Sequence, residues 1–295
     1  MNYMDAVITF VDGNDPFWKK DYESFTNVPV MEKRFRDWGT LKYLLRGIEQ
    51  MMPFVRNVFL VVSHPSQVPV WVNQDNLTIV LHRDIIPEDY LPTFNSTTIE
   101  MFLHRIPGLD EQYLYFNDDM FPVSECKETD FFRDGKPLIF MKKHFLASGL
   151  YKKQCRNADL LARRAAGMKA GLYFMRPQHI CSPMLKSACE KAFDSVKDEI
   201  YMSLSRLREE KNLNQYFFLD YMYYEGILTS EKISNKHFST AVASAKKIAS
   251  FIRNPYRAFC CINDVKMGEE KFDVMRRCIV EAFEARFPKP SRFER

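Results

Sequence analysis

Short β-branched runs alternating with amphipathic stretches, two of them closing on acidic residues, constrain this chain more than any other feature. Residues 6–11 (AVITFV) read as a buried strand that ends at the turn-forming Asp12-Gly13-Asn14-Asp15-Pro16. Trp38, Leu41, Leu45, Ile48 and Met52 then recur at three- and four-residue spacing, an apolar helical stripe stopped by Pro53. Residues 58–62 and 77–81 read as the second and third strands. Residues 96–103 read as a helix in which Thr97 and Glu100 have capping-box spacing. Residues 113–116 (YLYF) are the fourth strand, followed at once by Asn117-Asp118-Asp119. Alternation of this kind predicts an α/β fold with a mostly parallel sheet, whose ligands bind outside the carboxyl ends of the strands. Asp12, Asp15, Asp118 and Asp119 all fall at that edge.

The second half reads differently. From Lys142 onward the pattern is helical, with helices expected over residues 158–169, 183–202 (Ser182 and Pro183 as N-cap and first turn) and 213–225, the last ended by Gly226. A strand-rich second domain is not expected. A final helix carries Phe272, Met275, Ile279 and Phe283 on one face and ends near Phe287. The expected organisation is one catalytic domain over residues 1–295. Residues 1–141 form its α/β core, 142–259 a mainly helical acceptor-side insertion, and 260–295 a segment returning to the core.

The chain has 295 residues, 46% hydrophobic and 27% charged, which excludes disorder and collagen-like or low-complexity structure. Its 42 basic and 38 acidic side chains leave a net charge of +4, too small to argue for nucleic acid, and no nucleic-acid partner is expected. The distribution is uneven: residues 141–169 hold eight basic side chains against Asp159 alone. That stretch suits a polyanionic acceptor or an anionic membrane surface, while a solvated helix face is the plainer alternative. The longest uncharged stretch, residues 57–74, is broken by Pro65, Pro69 and polar residues, so it does not read as a membrane span. The opening MNYMDAVITF lacks the features of a signal peptide, so a cytoplasmic protein is expected, with peripheral association at the inner membrane face. Seven cysteines without a CxxC pair read as reduced core thiols.

Several constellations carry chemistry. Asn117-Asp118-Asp119 after a strand suits a divalent cation that also neutralises a diphosphate, although an Asx turn has the same composition. Gly13 would let backbone N–H groups approach a ligand, and Asp12 would accept from a sugar or ribose hydroxyl. Arg34 and Arg36, with Asp37, stand just before a helix in an arrangement suited to phosphate. His179, in an irregular segment, is placed as a general base would be. His104, beside Arg105, reads equally well as a helix-end residue. The aromatic run from Tyr216 to Tyr224 reads as core packing.

Read together, Thr9-Phe-Val-Asp-Gly-Asn-Asp-Pro-Phe-Trp18, Arg34-Phe-Arg-Asp37, Leu91-Pro-Thr-Phe-Asn-Ser96 with Ile99-Glu100, Leu103-His-Arg-Ile-Pro-Gly-Leu109 and Tyr115-Phe-Asn-Asp-Asp-Met-Phe121 resemble the Stealth family. Later blocks match as well: His179-Ile-Cys-Ser-Pro183, Arg206-Leu-Arg208, Asn214-Gln-Tyr216, Cys261-Ile-Asn-Asp264, and Pro290-Ser-Arg-Phe-Glu294. Members are sugar-phosphate transferases of bacterial capsule and exopolysaccharide synthesis, similar in their core to the animal enzyme that adds N-acetylglucosamine-1-phosphate to lysosomal glycans. The resemblance implies a GT-A-like core that binds a nucleotide-sugar donor, most simply UDP-linked, and transfers its sugar phosphate to a glycan or lipid-linked glycan acceptor. Mg2+ or Mn2+ is the implied cofactor, held by Asp118, Asp119 and Asp264. By the same resemblance Asp12, Gly13, Asp15, Arg34, Arg36, Asp37 and Asn117 contact the donor, and Asn95, Ser96, His104 and Arg105 shape its pocket. Asp118, His179 as base and Arg208 at the transferring phosphoryl group are the implied catalytic residues. This chain departs from the pattern at Phe10, Asn14 and Val265, and Trp38-Gly39-Thr40 stands where many members have an Asn and a Glu. The rival readings are a GT-A glycosyltransferase that releases the nucleoside diphosphate, and a non-catalytic sugar-nucleotide-binding module.

Overall fold

The computed structural model describes residues 3–26, 35–265 and 267–295. The chain runs β1 (Met4–Thr9), α1 (Pro16–Thr26), α2 (Leu41–Met51), β2 (Val55–Val62), β3 (Thr78–Leu81), α3 (His82–Ile85), α4 (Ser96–Glu100), β4 (Gln112–Asn117), β5 (Met120–Pro122), β6 (Phe132–Arg133), β7 (Lys136–Pro137), β8 (Met141–His144) and α5 (Leu150–Ala165). It continues through β9 (Phe174–Pro177), β10 (Ser182–Leu185), α6 (Lys186–Ser195), α7 (Lys197–Ser203), α8 (Tyr216–Tyr224), β11 (Asn235–Ser239), α9 (Ala245–Arg253), β12 (Phe259–Asn263) and α10 (Glu269–Arg286). The expected α/β architecture is present. A five-stranded sheet has the order β10-β4-β1-β2-β3, with β1 and β2 parallel and β10 antiparallel to β4.

The chain forms two compact units, one of residues 1–79, 116–128 and 234–295, the other of residues 80–115 and 129–233. The units divide at 79/80, 115/116, 128/129 and 233/234.

In the first unit, β1 is buried along nearly its whole length and its fully buried Asp5 is bonded by Asn57 at 2.9 Å. Leu41, Leu44, Leu45 and Ile48 form the buried stripe of α2. Gly47 of that helix lies against β5: a Cβ there would meet the Pro122 carbonyl oxygen at 2.5 Å. That approach fixes β5, and with it the Asp118-Asp119 turn one residue upstream. β12 pairs antiparallel with β5 and parallel with β11, so the end of β12 delivers Asp264 to the same edge. The C-terminal residues are held by Arg46, which is buried and reaches both carboxylate oxygens of Glu294 at 2.7 Å and the Phe287 carbonyl at 2.6 Å.

The second unit departs from the helical expectation. Residues 182–185 form β10, laddered to β4 through Ser182↔Tyr115 to Leu185↔Gln112, so Ser182 and Pro183 do not open a helix; the helix starts at Lys186. The β8 and β9 strands pair antiparallel, and α5 starts at Leu150, eight residues earlier than the pattern suggested. Strands β9 to β12 all follow the point where a helical region was expected. They are four or five residues long, at the lower limit for displaying a period of two. The cysteines are free, six buried and Cys278 half-buried.

Candidate functional site

Each unit holds one cluster of the expected residues. In the first unit the cluster lies where β1 and β4 end. Asp12 is anchored by Gln67, whose side-chain oxygen accepts its N–H at 2.7 Å and whose amide donates to its carbonyl at 3.0 Å. Its carboxylate caps the N–H of Asn14 at 2.8 Å, an Asx turn. Gly13 is required by its close approach to Phe35. Its N–H donates to the Phe35 carbonyl at 2.7 Å, and a Cβ would meet that oxygen at 2.4 Å. Asp15 is buried and accepts from the Trp18 N–H at 2.8 Å, capping α1. Arg34 lies outside the described residues.

The acids of this unit repel one another. Asp118, half-buried in the turn after β4, is pushed up to about 7, first by burial and then by the charges of Asp119, Asp37 and Asp264. Burial also raises Asp37, whose carboxylate accepts the Gly39 N–H at 2.7 Å, and Asp264, whose Oδ2 accepts from the Trp38 indole at 3.1 Å. The Oδ1 of Asp264 is buried with no hydrogen-bond partner among the described residues. Asp119 accepts from the Cys261 thiol at 3.6 Å, and its carbonyl accepts the Ile262 N–H at 3.0 Å. Asn117 is the last residue of β4, directly before this turn. Arg36 lies over the Phe272 ring at 4.1 Å with one guanidinium nitrogen buried and unbonded among the described residues. Asp118, raised by burial and by its acidic neighbours, together with the unsatisfied oxygen of Asp264, makes a donor set suited to a hard divalent cation. Trp38 enters this cluster through its indole N–H and was legible only as part of a helical stripe; it precedes α2 instead.

The second unit holds a buried network around α4. Asn95 is 1% exposed and caps α4, its Oδ1 accepting from Thr97 N–H at 3.2 Å and Thr97 hydroxyl at 2.8 Å. Its amide donates to the Ser205 carbonyl at 3.1 Å and to Asn212 at 3.0 Å. The helix cap is therefore Asn95, and Thr97 with Glu100 is not a capping box. Asn95 fastens the 205–212 segment, from which Arg208 donates to the Ser96 hydroxyl at 2.5 Å. Glu100, 5% exposed, accepts the Gln215 N–H at 2.8 Å and is pushed up to about 7 by burial, against the opposing influence of that N–H, Arg208 and His179. His179 is half-buried with Nδ1 3.3 Å from the Tyr216 hydroxyl, which accepts from the Tyr151 hydroxyl at 2.9 Å.

His104 and Arg105 sit apart in character. His104 is 4% exposed between Phe193 and Phe218, and burial lowers it to about 3. Arg105 stacks on Phe102 and Phe193 at 4.8 and 4.9 Å. Both are held in place by aromatic packing. Glu100 and Tyr216, which are outside the expected set, join this network. A carboxylate four residues after Ser96 is a usable signal for Glu100, whereas Tyr216 is hidden in an aromatic run.

The family model Stealth protein CR2, conserved region 2, matches residues 34–139. The capsular polysaccharide phosphotransferase fcs1 of Haemophilus influenzae is 35% identical over 294 residues, covering 91% of this chain and 80% of that protein. The receptor polysaccharide phosphotransferase WefC of Streptococcus oralis is 43% identical over 147 residues, covering 46% of this chain and 44% of that protein, so the match spans less than half of that relative. The solved galactosyltransferase LgtC with donor and acceptor sugar analogs superposes at a TM-score of 0.40 and 11% identity, covering 93% of this chain and 95% of that one. A score of that size supports no inference. At 35% identity over most of both chains, the Haemophilus influenzae protein and the conserved-region match together settle one thing: the chain belongs to the Stealth family.

Proposed function

We propose that this protein transfers a sugar 1-phosphate from a nucleotide diphosphate sugar to a hydroxyl of a glycan acceptor, in capsular or exopolysaccharide synthesis. The observation that carries the reading is Asp118, held near 7 by burial and three neighbouring carboxylates at the end of a sheet strand, in a Stealth-family chain. In the reaction the acceptor oxygen forms a bond to the sugar-bearing phosphorus, the bond from that phosphorus to the nucleoside monophosphate breaks, and the hydroxyl proton passes to the protein.

The roles follow the chemistry of each cluster. Asp118, Asp119 and Asp264 would hold Mg2+ or Mn2+, which when bound neutralises diphosphate charge. Arg36 offers its unbonded guanidinium nitrogen to a donor phosphate, and Asp12 offers its carboxylate to a sugar or ribose hydroxyl. In the second unit His179 accepts the acceptor proton at Nε2 while Nδ1–H donates to Tyr216. Arg208, braced by Ser96 and by the charge of Glu100, stabilises the transferring phosphoryl group.

The test is to supply purified protein and Mg2+ with nucleotide sugars and oligosaccharide acceptors, and to identify the nucleotide released. Acceptor-dependent, EDTA-sensitive release of monophosphate is expected. Diphosphate release would make the protein a glycosyltransferase, and donor binding without turnover under every acceptor would favour a binding module.

A further inference from the structure

One face of the second unit has a composition that the transfer chemistry does not use. β8 and β9 pair through Lys143↔Met175 and His144↔Phe174, so the segments leaving β8 and entering β9 emerge side by side. They touch: the Phe145 and Tyr173 rings are 6.3 Å apart, and the Lys143 ammonium lies 4.7 Å from the Tyr173 ring. From this end project Phe145, 67% exposed, Leu146, 79%, and Leu172, 94%. Gly149 and Gly167, at φ of +81° and +69°, turn the chain into and out of α5 beside them.

The charges around these side chains have one sign. Between residues 141 and 175 the acid is Asp159, which is fully buried and bonded to Arg163 at 2.8 Å. Lys153 and Arg164 are matched by Glu210 and Glu199. Lys142, Lys143, Lys152, Arg156 and Lys169 form no ion pair among the described residues. Exposed aromatic and aliphatic tips, with Lys143 at the same end and further unpaired cations on the adjoining segments, fit an interface that is apolar within and anionic at its surface. A phosphodiester glycan would use the cations and leave the three apolar side chains in water. No helix among the described residues is long and apolar enough to cross a membrane.

We propose that this end of the β8–β9 hairpin docks on an anionic lipid bilayer, with Phe145, Leu146 and Leu172 entering the headgroup layer and the lysines pairing with lipid phosphates. Each lysine at an anionic surface raises partitioning about fivefold, so reversal of Lys142 and Lys143 has a large expected effect. The proposal stands independently of the transfer reaction.

The experiment is co-sedimentation of the whole chain with vesicles of phosphatidylcholine alone or mixed with phosphatidylglycerol. Binding is expected to the mixed vesicles, falling with salt. Phe145→Ser with Leu146→Ser and Leu172→Ser, and separately Lys142→Glu with Lys143→Glu, should each lower partitioning at least tenfold while circular dichroism and the melting transition stay as in the parent. These sites are exposed, so folding is preserved. No sedimentation with anionic vesicles would overturn the proposal. So would undiminished binding by the serine variant, which would reduce the effect to charge alone. A soluble phosphodiester polymer that binds while vesicles do not, or a serine-sensitive dimer in sedimentation velocity without vesicle binding, would assign the face to glycan or to a second copy instead.

Discussion

Glu100→Gln should make the protein more stable at alkaline pH, and the size of the gain follows from burial of that carboxyl. The unfolded chain gives up the Glu100 proton near its ordinary 4.5, whereas the folded chain holds it to about 7. Between those values the folded state binds more protons, so stability falls as pH rises through that window, and the penalty is complete above 7. A tenfold change in proton affinity is about 1.4 kcal/mol, so the full penalty is about 3 kcal/mol. Glutamine keeps an oxygen for the Gln215 N–H, which Glu100 now accepts at 2.8 Å, and has no charge to bury. Urea denaturation in EDTA at pH 4.5 and pH 8, parent against variant, reads the effect. The two should match at pH 4.5, and the variant should lead by about 3 kcal/mol at pH 8. Transfer activity should fall at the same time, because Arg208 loses the charge that opposes it. A stability difference that does not change with pH would refute the reasoning, since a packing defect has no proton linkage.

Asp119→Asn should weaken Mn2+ binding at least tenfold, read as free Mn2+ by electron paramagnetic resonance; parent-like affinity would remove Asp119 from the ligand set. In the parent, Mn2+ affinity should decline below pH 7, up to about tenfold per pH unit, because Asp118 must then lose its proton to bind, and a flat profile from pH 5.5 to 7.5 would contradict its position among the acids. His179→Ala should cut kcat by roughly 10²- to 10⁴-fold, whereas Tyr216→Phe should cost much less and displace the acid limb of the kcat–pH profile; equal losses would mean that both residues act only through folding. Gly13→Ala should destabilise the first unit by about 1–3 kcal/mol, read by thermal melting, because the new methyl would sit 2.4 Å from the Phe35 carbonyl oxygen.

What the sequence made legible was the part of the site that rides on long, periodic elements. Residues 6–11 and 113–116 are buried runs, and their ends carry the acids. Placing Asp118 and Asp119 after a strand required only the hydrophobic pattern and the rule for sheet edges. Segments stabilised by distant partners were not legible. Residues 182–185 became a strand because β4 offers them a ladder, and Ser-Pro ahead of a helical pattern contains no trace of that partner. The fastening of the 205–212 segment by Asn95 was not legible either, because that segment lies 110 residues away.

The same distinction sorts the histidines and aromatics. His179, in an irregular segment, reads as the better-placed base and His104 as a helix-end residue; His104 is sealed between Phe193 and Phe218 and driven neutral, while His179 keeps partial exposure and a hydroxyl partner. Burial alone separates a packing histidine from one able to exchange a proton, and burial is decided by side chains far along the chain. Tyr216 reverses the case. Its ring is core, as the aromatic run suggested, yet its hydroxyl reaches His179, so one side chain packs through its face and meets a histidine through its edge. Sequence patterns report the apolar body of such a residue. Its polar tip acquires meaning only when tertiary structure brings a partner within hydrogen-bond range, and for that reason Tyr216→Phe, which alters the tip and spares the body, is the substitution that separates the two roles.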